Sequence, residues 1–187
     1  MEDFLKHLNK LSTLNKEEIV LLTNIVEEKK YLRGEEVLKM HQINKKLYFV
    51  NDGLVKISFF NEDKEFVMNF FDKHHFCAVL DSLLTKQPSQ YKIIAIQNTS
   101  LIEIDYYQLE KLAAEHLSFE KITSSLLSIA TGKMMSRVRE LLESDASERY
   151  SNFLKNKSHL INQVSLKDLS AYFGISQVSL SRIRAKK

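Results

Sequence analysis

The chain changes its hydrophobic period twice along its length. Residues 1–30 carry apolar side chains at helical spacing, with a capping box between Asn15 and Glu18. From Glu36 to Ile104, short runs rich in Val, Ile, Phe and Tyr alternate with turn residues. The helical period returns after this segment and continues to the C-terminus. The pattern therefore predicts an α+β protein whose strands lie in the middle.

Six strands are predicted in the middle segment, with a short helix at 78–84. The strands are 36–40, 46–51, 53–61, 64–71, 91–95 and 100–104. Gly53 follows Asn51 and Asp52 at a hairpin turn, where a positive φ is expected. Short strands separated by turns at about 8–12-residue intervals favour an antiparallel β-barrel or jelly roll.

A long helix is predicted over residues 119–143. It has two apolar stripes: Phe119, Ile122, Leu126 and Ile129, and beside them Leu127, Ala130, Met134, Val138 and Leu141. A helix that is apolar on two sides needs two surfaces to bury against. We expect one to be the strand domain and the other to be the same helix of a second chain, packed as a coiled coil. Gly132 would permit two helices to approach each other closely. The alternative is that both stripes are covered by other parts of the same chain.

The C-terminal segment, residues 164–187, is typical of two short helices joined by a tight turn. Ser165 and Ser176 are N-caps of the two helices, and Gly174 ends the first. From Ser176 onward there are four cationic side chains and no acidic one. This is the pattern of a helix-turn-helix whose second helix enters the major groove of DNA. A helical hairpin with a solvated basic tail is the alternative.

Composition narrows the range of functions. With 187 residues and 44% hydrophobic residues, the chain has room for one large or two small domains. The net charge of +3 is small, so contact with nucleic acid has to come from a local patch. Because no apolar run is long enough for a membrane span and the N-terminus lacks the basic start of a signal peptide, we expect a cytoplasmic protein with no membrane contact. No catalytic constellation is present, and we do not expect an enzyme.

Two C-terminal stretches carry a family resemblance. Gly174-Ile175-Ser176 and Leu180-Ser181-Arg182-Ile183-Arg184 resemble the DNA-binding end of CRP/FNR-family transcription regulators, especially the subgroup common in Bacteroidetes. Ser147-Glu148-Arg149-Tyr150 is similar to the same subgroup. The middle section resembles the family's cyclic-nucleotide-binding sensor domain at 46–50, 53–56 and 98–104.

The resemblance implies three parts: a sensor domain with flanking helices over 1–118, a dimerisation helix over 119–143, and a winged-helix-like helix-turn-helix domain over 144–187. It further implies a homodimer that binds a near-palindromic site on double-stranded DNA, and contact with RNA polymerase.

The predicted DNA contacts come from the second C-terminal helix. Arg182 is the best candidate for a base edge, because arginine makes a bidentate contact with guanine and the family position agrees. Val178 departs from the family, which often has an acidic residue there, so the DNA sequence bound should differ. The full predicted set is Ser176, Gln177, Ser179, Arg182, Arg184, Lys186 and Lys187.

The sensor segment departs from relatives that bind cyclic AMP. Their Gly-Glu pair is replaced by Phe76-Cys77-Ala78, and Gln90 or Tyr91 stands near the place of their phosphate-binding arginine. Losing a charge-assisted contact costs orders of magnitude in affinity. We therefore expect no cyclic AMP binding and no cofactor; another small molecule, or none, would occupy the pocket. The candidate pocket residues are Phe76, Cys77, Ala78, Gln90 and Tyr91.

Other sensing chemistries and functions stay open as alternatives. One cysteine, Cys77, excludes an iron–sulfur cluster held by one chain, and His74, His75 and Cys77 form at best a two-ligand site. A loop at the barrel rim is the favoured interpretation of that cluster. A haem or redox sensor acting through DNA, and a ligand-responsive module whose tail binds a protein partner, are the competing hypotheses.

Overall fold

Two four-stranded sheets and eight α-helices make up residues 1–185, the part of the chain that the computed structural model describes. The helices are α1 (Glu2–Leu8), α2 (Lys16–Thr23), α3 (Leu80–Thr85), α4 (Tyr106–Glu115), α5 (Leu117–Glu143), α6 (Ala146–Lys157), α7 (Leu166–Phe173) and α8 (Gln177–Ala185). The strands are β1 (Val26–Tyr31), β2 (Glu36–Leu38), β3 (Lys46–Asp52), β4 (Leu54–Asn61), β5 (Lys64–Asp72), β6 (Phe76–Cys77), β7 (Lys92–Ala95) and β8 (Thr99–Asp105). A short 3-10 helix, Ser158–Leu160, follows α6.

The sheets are interleaved along the chain. The first has the order β1-β8-β3-β6 and the second β2-β7-β4-β5, so that the first four strands alternate between the two sheets. β8 is antiparallel to β1 and to β3, and β2 is antiparallel to β7. This arrangement is jelly-roll-like. The predicted α+β class with antiparallel strands is confirmed.

The N-terminal helical prediction was too long. Residues 26–31 form strand β1 and not the end of a helix, since their backbone pairs with six residues of β8, from Val26 opposite Ile104 to Tyr31 opposite Thr99. Sheet pairing of this kind overrides the weak local preference of a charged segment. The two-residue strand β6 was also missed. The predicted capping box at the start of α2 is present in both directions between Asn15 and Glu18.

Glycine is required at the turn between β3 and β4. Gly53 has φ +93°, as predicted for this hairpin. A Cβ atom at this position would lie 2.5 Å from Thr99 Oγ1 and 2.6 Å from the carbonyl oxygen of Asn98. The turn therefore excludes a side chain both by its backbone conformation and by its contact with β8.

The chain divides into two compact units. The first comprises residues 1–57 and 70–129, and the second comprises residues 58–69, at the tip of the β4–β5 hairpin, and the chain from 130 onward. In the first unit, Leu47, Phe49, Ile102 and Ile104 form one face of the first sheet. That face packs with side chains of α1, α2, α4 and the first turns of α5 in one buried cluster.

The second unit contains α6, α7 and α8. Asp145 caps α6 in a reciprocal box with Glu148. Tyr150 and Phe153 of α6 pack against the aromatic end of α7. Between residues 146 and 185 the described chain contains helices and no wing strands. No helix within residues 1–185 combines the length and apolarity needed to cross a membrane.

Candidate nucleic-acid interface and effector region

Helix α8 presents a continuous exposed surface. Leu180 is fully buried and Ile183 is half-buried, and these two side chains anchor the helix. At about 100° per residue, Val178 and Arg182 stand one turn apart on the side opposite Leu180, and both are exposed. Ser179 lies beside this face, whereas Gln177 and Arg184 lie about 40–60° from Leu180, at the edge of the buried side. The predicted contacts within the described chain, Ser176, Gln177, Ser179, Arg182 and Arg184, are all exposed.

The start of α8 is fixed by its caps. Ser176 Oγ accepts a hydrogen bond from the Ser179 backbone N–H at 3.1 Å. Gly174, with φ +71°, ends α7, as predicted, and its N–H donates to the carbonyl oxygen of Ser170. The two helices are therefore joined by a short turn with a defined geometry. The predicted contacts Lys186 and Lys187 lie outside the described residues.

An aromatic cluster supports this helix pair. Phe173 is fully buried, and its ring lies edge-to-face to Tyr150, Phe153 and Tyr172, with ring centroids 5.8, 5.5 and 5.4 Å apart. Such contacts add to the hydrophobic burial and define ring orientation. The cluster packs the C-terminal end of α7 against α6, and a three-residue turn separates α7 from α8.

Two arginines hold the C-terminal carbonyl groups of α7, a role that the sequence did not reveal. Arg137 of α5 donates to the carbonyl oxygen of Tyr172, and Arg149 of α6 donates to that of Phe173 at 3.0 Å. The last carbonyls of a helix have no partner within the helix, and cationic side chains near them also interact favourably with the helix dipole. The Ser-Glu-Arg-Tyr stretch at 147–150 was the available signal for Arg149; nothing local singled out Arg137.

Helix α5 carries an exposed apolar stripe in its second half. At about 100° per residue the stripe spans roughly 120° of the helix circumference. Its members are Leu127, Met134, Met135, Val138, Leu141 and Leu142, which are 42–82% exposed. Within residues 1–185, most of the predicted second stripe is thus exposed to solvent, whereas its member Ala130 is half-buried. On the first stripe, Phe119 and Ile122 are buried as predicted, whereas Ile129 is 46% exposed.

Gly132 does not belong to that stripe. It lies about 120° around the helix from Val138, and a Cβ atom placed on it meets no atom within 4 Å. No described residue of the same chain approaches Gly132 closely, and a close approach by a second chain stays a prediction.

The predicted effector residues are distributed over two sheets. Phe76 and Cys77 form β6 in the first sheet, whereas Gln90 and Tyr91 precede β7 of the second. The Phe76 ring packs with Phe4 and Phe49, at centroid distances of 6.1 and 4.9 Å. It therefore belongs to the cluster beneath α1.

Cys77 lies opposite Tyr48 in the sheet and is 4% exposed. Burial raises the pKa of its thiol to about 12, so the thiol is protonated at neutral pH. Next to it in the chain, Ala78 is half-buried.

The segment before β7 is held by its own backbone. The Ser89 hydroxyl donates to the Tyr91 carbonyl oxygen and accepts from the Tyr91 N–H. Gln90 is exposed, and Tyr91 is half-buried. Within β7, Ile93 and Ala95 are buried, whereas Lys92 and Ile94 line an open groove on the other face of the strand. Lys92 is therefore directed into the open groove and away from the buried side of β7.

A buried carboxylate lies on the sheet face opposite the helix-covered one. Glu103 is 3% exposed, accepts a hydrogen bond from the Tyr31 hydroxyl, and pairs with the ammonium of Lys46. Burial, together with the hydrogen bond to Glu103, raises the pKa of Tyr31 well above its ordinary value. Burial and the charge of Glu103 raise the pKa of Tyr48 likewise. Lys46, whose side chain is 40% exposed, supplies the positive charge that compensates the buried Glu103 carboxylate.

The two histidines that precede β6 each lie close to a carboxylate group. His74 Nε2 lies 3.1 Å from Asp3 Oδ2 of α1, and its ring stacks on His7 with centroids 4.6 Å apart. His75 Nδ1 lies 2.9 Å from Asp72 Oδ1. Within residues 1–185, no group of three or more His, Cys, Asp or Glu side chains is arranged to hold a metal ion.

Comparison with known families identifies the strand domain. Residues 28–116, just under half of the chain, match the family model described as the cyclic nucleotide-binding domain. The first unit has the fold of a cyclic nucleotide-binding domain. The match covers all eight strands but for the first two residues of β1, and it includes the segments where the residues differ from the cassette that binds cyclic AMP.

Several solved structures resemble this chain over most of its length, beyond the strand domain. FixK2 from Bradyrhizobium japonicum aligns with a TM-score of 0.74 and 19% identity, over 87% of this chain and 84% of that one. CLP from Xanthomonas campestris, described as a c-di-GMP-responsive global regulator, aligns at 0.71 and 20%, over 90% and 89%. A candidate transcriptional regulator of the CRP/FNR family from Eubacterium rectale aligns at 0.74 and 13%, over 92% and 83%.

At these identities the likeness shows a shared fold. No curated protein sequence matches the chain significantly.

Proposed function

We propose that this protein is a sequence-specific DNA-binding transcription regulator of the CRP/FNR type. The observation that carries the proposal is the exposed surface of α8, which has Arg182 on the side opposite buried Leu180, an exposed Arg184 nearer the buried side, and no acidic residue. A short, rigidly seated helix with exposed arginines suits the major groove, where arginine binds guanine and phosphate. The solved structures that share the fold include regulators, which supports the same conclusion.

The proposed division of labour follows the chain. Residues 1–118 would form the sensor domain, residues 119–143 the dimerisation helix and residues 144–187 the DNA-binding helix-turn-helix. Arg182 contacts a base edge. Ser176, Gln177 and Ser179 contact bases or phosphates, and Arg184, Lys186 and Lys187 neutralise phosphates.

Dimerisation is proposed through the exposed stripe of α5. Six large apolar side chains spread over about four turns form a surface that a soluble chain usually covers. Leu127, Met134, Val138 and Leu141 follow the three–four spacing of a coiled-coil seam. Two copies of α5 in parallel would place two α8 helices in successive major grooves about 34 Å apart, on a near-palindromic site. Contact with RNA polymerase is part of the same proposal.

The proposed regulator does not respond to cyclic AMP. A bound cyclic phosphate needs a fixed cation and several donors. Here Lys92 lines the outer groove, Lys46 is paired with Glu103, and Gln90 carries no charge. Phe76, Cys77, Ala78, Gln90 and Tyr91 stay a prediction for the pocket of a different effector.

The test is selection of bound sites from a pool of random DNA duplexes, followed by a binding titration of the selected duplex against a scrambled one. A regulator of this kind should bind the selected site at least about a thousandfold more tightly at physiological salt. Equal affinities would contradict the proposal and favour a tail that binds a protein. Cyclic AMP should leave the affinity unchanged; a tenfold effect would contradict that part of the proposal.

A further inference from the structure

The side chain of Tyr172, on α7, contacts residues of both α5 and α6 in the second unit. Its ring lies edge-to-face to Phe153 of α6, at a centroid distance of 5.6 Å. The guanidinium of Arg137, on α5, stands 3.9 Å from the ring centroid, and the ammonium of Lys157, on α6, stands 5.6 Å from it. Lys157 also donates a hydrogen bond at 2.8 Å to Asn69 Oδ1 of β5.

Arg137 makes three contacts at once. It stacks on the Tyr172 ring, donates to the backbone carbonyl oxygen of Tyr172, and pairs with Glu140 one turn along α5. Its side chain is only 14% exposed. A planar guanidinium can stack with its face while its edge donates hydrogen bonds, which a lysine ammonium cannot do.

The position of this contact matters for α8. Tyr172 is the penultimate residue of α7, and α8 begins five residues later, after the capped turn at Gly174 and Ser176. Fixing the last carbonyls of α7 therefore fixes the point and direction in which α8 starts. Arg137 lies on the same helix, and within the same turns, as the exposed stripe residues Met134, Val138 and Leu141.

We propose that Arg137 is a positioning residue that sets the separation of the two α8 helices in the dimer, and hence the half-site spacing that the protein accepts. This inference rests on the proposed function. If α5 is the dimer axis and α8 contacts the bases, the joint between α5 and α7 determines how far apart the two contact surfaces lie. A rigid joint discriminates against a changed spacing, and a loose joint tolerates it.

The sharpest variant is Arg137→Lys, because it keeps the charge and removes the stacked planar group. The matched control is Arg139→Lys on the same helix, where the side chain is 74% exposed and pairs with Glu143, which is also largely exposed. Binding of the full-length protein is measured on three duplexes: the selected site, the same site with two base pairs inserted between half-sites, and a single half-site.

Wild type and Arg139→Lys should lose tenfold or more in affinity on the two-base-pair insertion. For Arg137→Lys we expect that loss to shrink to threefold or less, while affinity for the single half-site stays within twofold of wild type. The proposal is overturned if Arg137→Lys keeps the wild-type discrimination. It is also overturned if the variant weakens binding to all three duplexes by the same factor, since that is the result of a general structural defect.

A measurement without DNA separates this inference from the proposed function. Amide hydrogen exchange in residues 177–185 should be at least fivefold faster in Arg137→Lys than in wild type, with exchange in α4 unchanged. If wild type binds no sequence specifically, the proposed function fails, and unchanged exchange in α8 overturns the positioning role by itself. Should Arg137→Lys fail to fold, as judged by circular dichroism, Arg137→Gln takes its place with the same expectations.

Discussion

Arg149 and Phe173 are joined by a hydrogen bond from a guanidinium to a backbone carbonyl, 3.0 Å long and spanning 24 residues of chain. The same side chain also donates to the carbonyl oxygen of Ser144, at the junction between α5 and α6. One arginine thus connects the N-terminal end of α6 with the C-terminal end of α7. The remaining nitrogen, Nε, is buried and has no hydrogen-bond partner among residues 1–185.

Arg149→Ala should destabilise the protein by about 1.5–3 kcal/mol, because part-buried hydrogen bonds from a charged donor to two backbone carbonyls are lost. Urea unfolding monitored by circular dichroism measures the change. Arg139→Ala, on an exposed part of α5, should change stability by less than about 0.5 kcal/mol. Equal effects of the two substitutions would show that the carbonyl contacts contribute little.

Arg182→Ala and Arg184→Ala should weaken DNA binding in different ways. Loss of a base contact costs about 1–3 kcal/mol on the selected site and leaves random DNA nearly unaffected. Loss of a phosphate contact lowers affinity for every sequence and reduces the slope of log affinity against log salt by about 1. Titrations on selected and scrambled duplexes at several salt concentrations separate the two. Arg182 is not a base-contacting residue if its removal weakens both duplexes equally.

Val138→Asp should dissociate the dimer. Val138 is 49% exposed and central in the stripe of α5, and an aspartate there would be buried without a partner on association. We expect at least about a hundredfold weaker association, measured by sedimentation equilibrium. Ser136→Asp, about 160° around the helix, is the control and should leave association unchanged. A dimer that survives Val138→Asp must be formed by another surface.

Gly53→Ala and Gly132→Ala should change stability in opposite directions. At Gly53 an alanine needs a strained positive φ and meets Thr99 and Asn98, so we expect a loss of about 2–4 kcal/mol. At Gly132 the surroundings are open and the backbone is helical, so alanine should stabilise by up to about 1 kcal/mol. Thermal unfolding followed by calorimetry gives both values. A stabilised Gly53→Ala would contradict the tight-turn interpretation.

The contact between Asp3 and His74 should make stability depend on pH at the acidic end. The hydrogen bond from His74, aided by the charges of His74, Lys73 and Lys6, holds the pKa of Asp3 below its ordinary value of 3.8. A carboxyl with a lowered folded pKa stabilises the fold above its unfolded pKa, and this contribution is lost as pH falls through the folded pKa. Wild type should therefore exceed Asp3→Asn in stability at pH values above 3.8, and the difference should shrink as the pH falls below 3.8 and through the lowered folded pKa. A difference that grows on acidification would contradict this assignment.

The central strands and most helices were predictable because their signals are local. β-branched and aromatic runs such as 46–50 and 101–104 have few alternatives to a buried strand. Asn15 with Glu18, and Gly174, mark helix ends through contacts that span a few residues. β1 failed because Val-Glu-Glu-Lys-Lys-Tyr is strongly charged and becomes a strand only through its pairing with β8.

The outer face of α8 was predictable for the same reason, since an amphipathic period fixes which residues are exposed. The roles of Arg137 and Arg149 were not, because each depends on carbonyls 24 or more residues away that only the tertiary structure brings near. The position of the Phe76 ring was also not predictable from the sequence. Alternation along a strand places Phe76 and Cys77 on opposite faces of the sheet, but it does not say which of the two faces α1. The contact between the Phe76 and Phe4 rings shows that Phe76 lies on the side of α1.

Because Cys77 is buried, its reactivity can report on opening of the strand domain. As the only cysteine in 187 residues, buried and protonated, it should react with a maleimide or a similar alkylating reagent only in molecules whose strand domain has opened. The rate at which the intact protein is labelled under native conditions therefore measures the opening of the strand domain alone, while the C-terminal helices, which contain no sulfhydryl, are silent to the reagent.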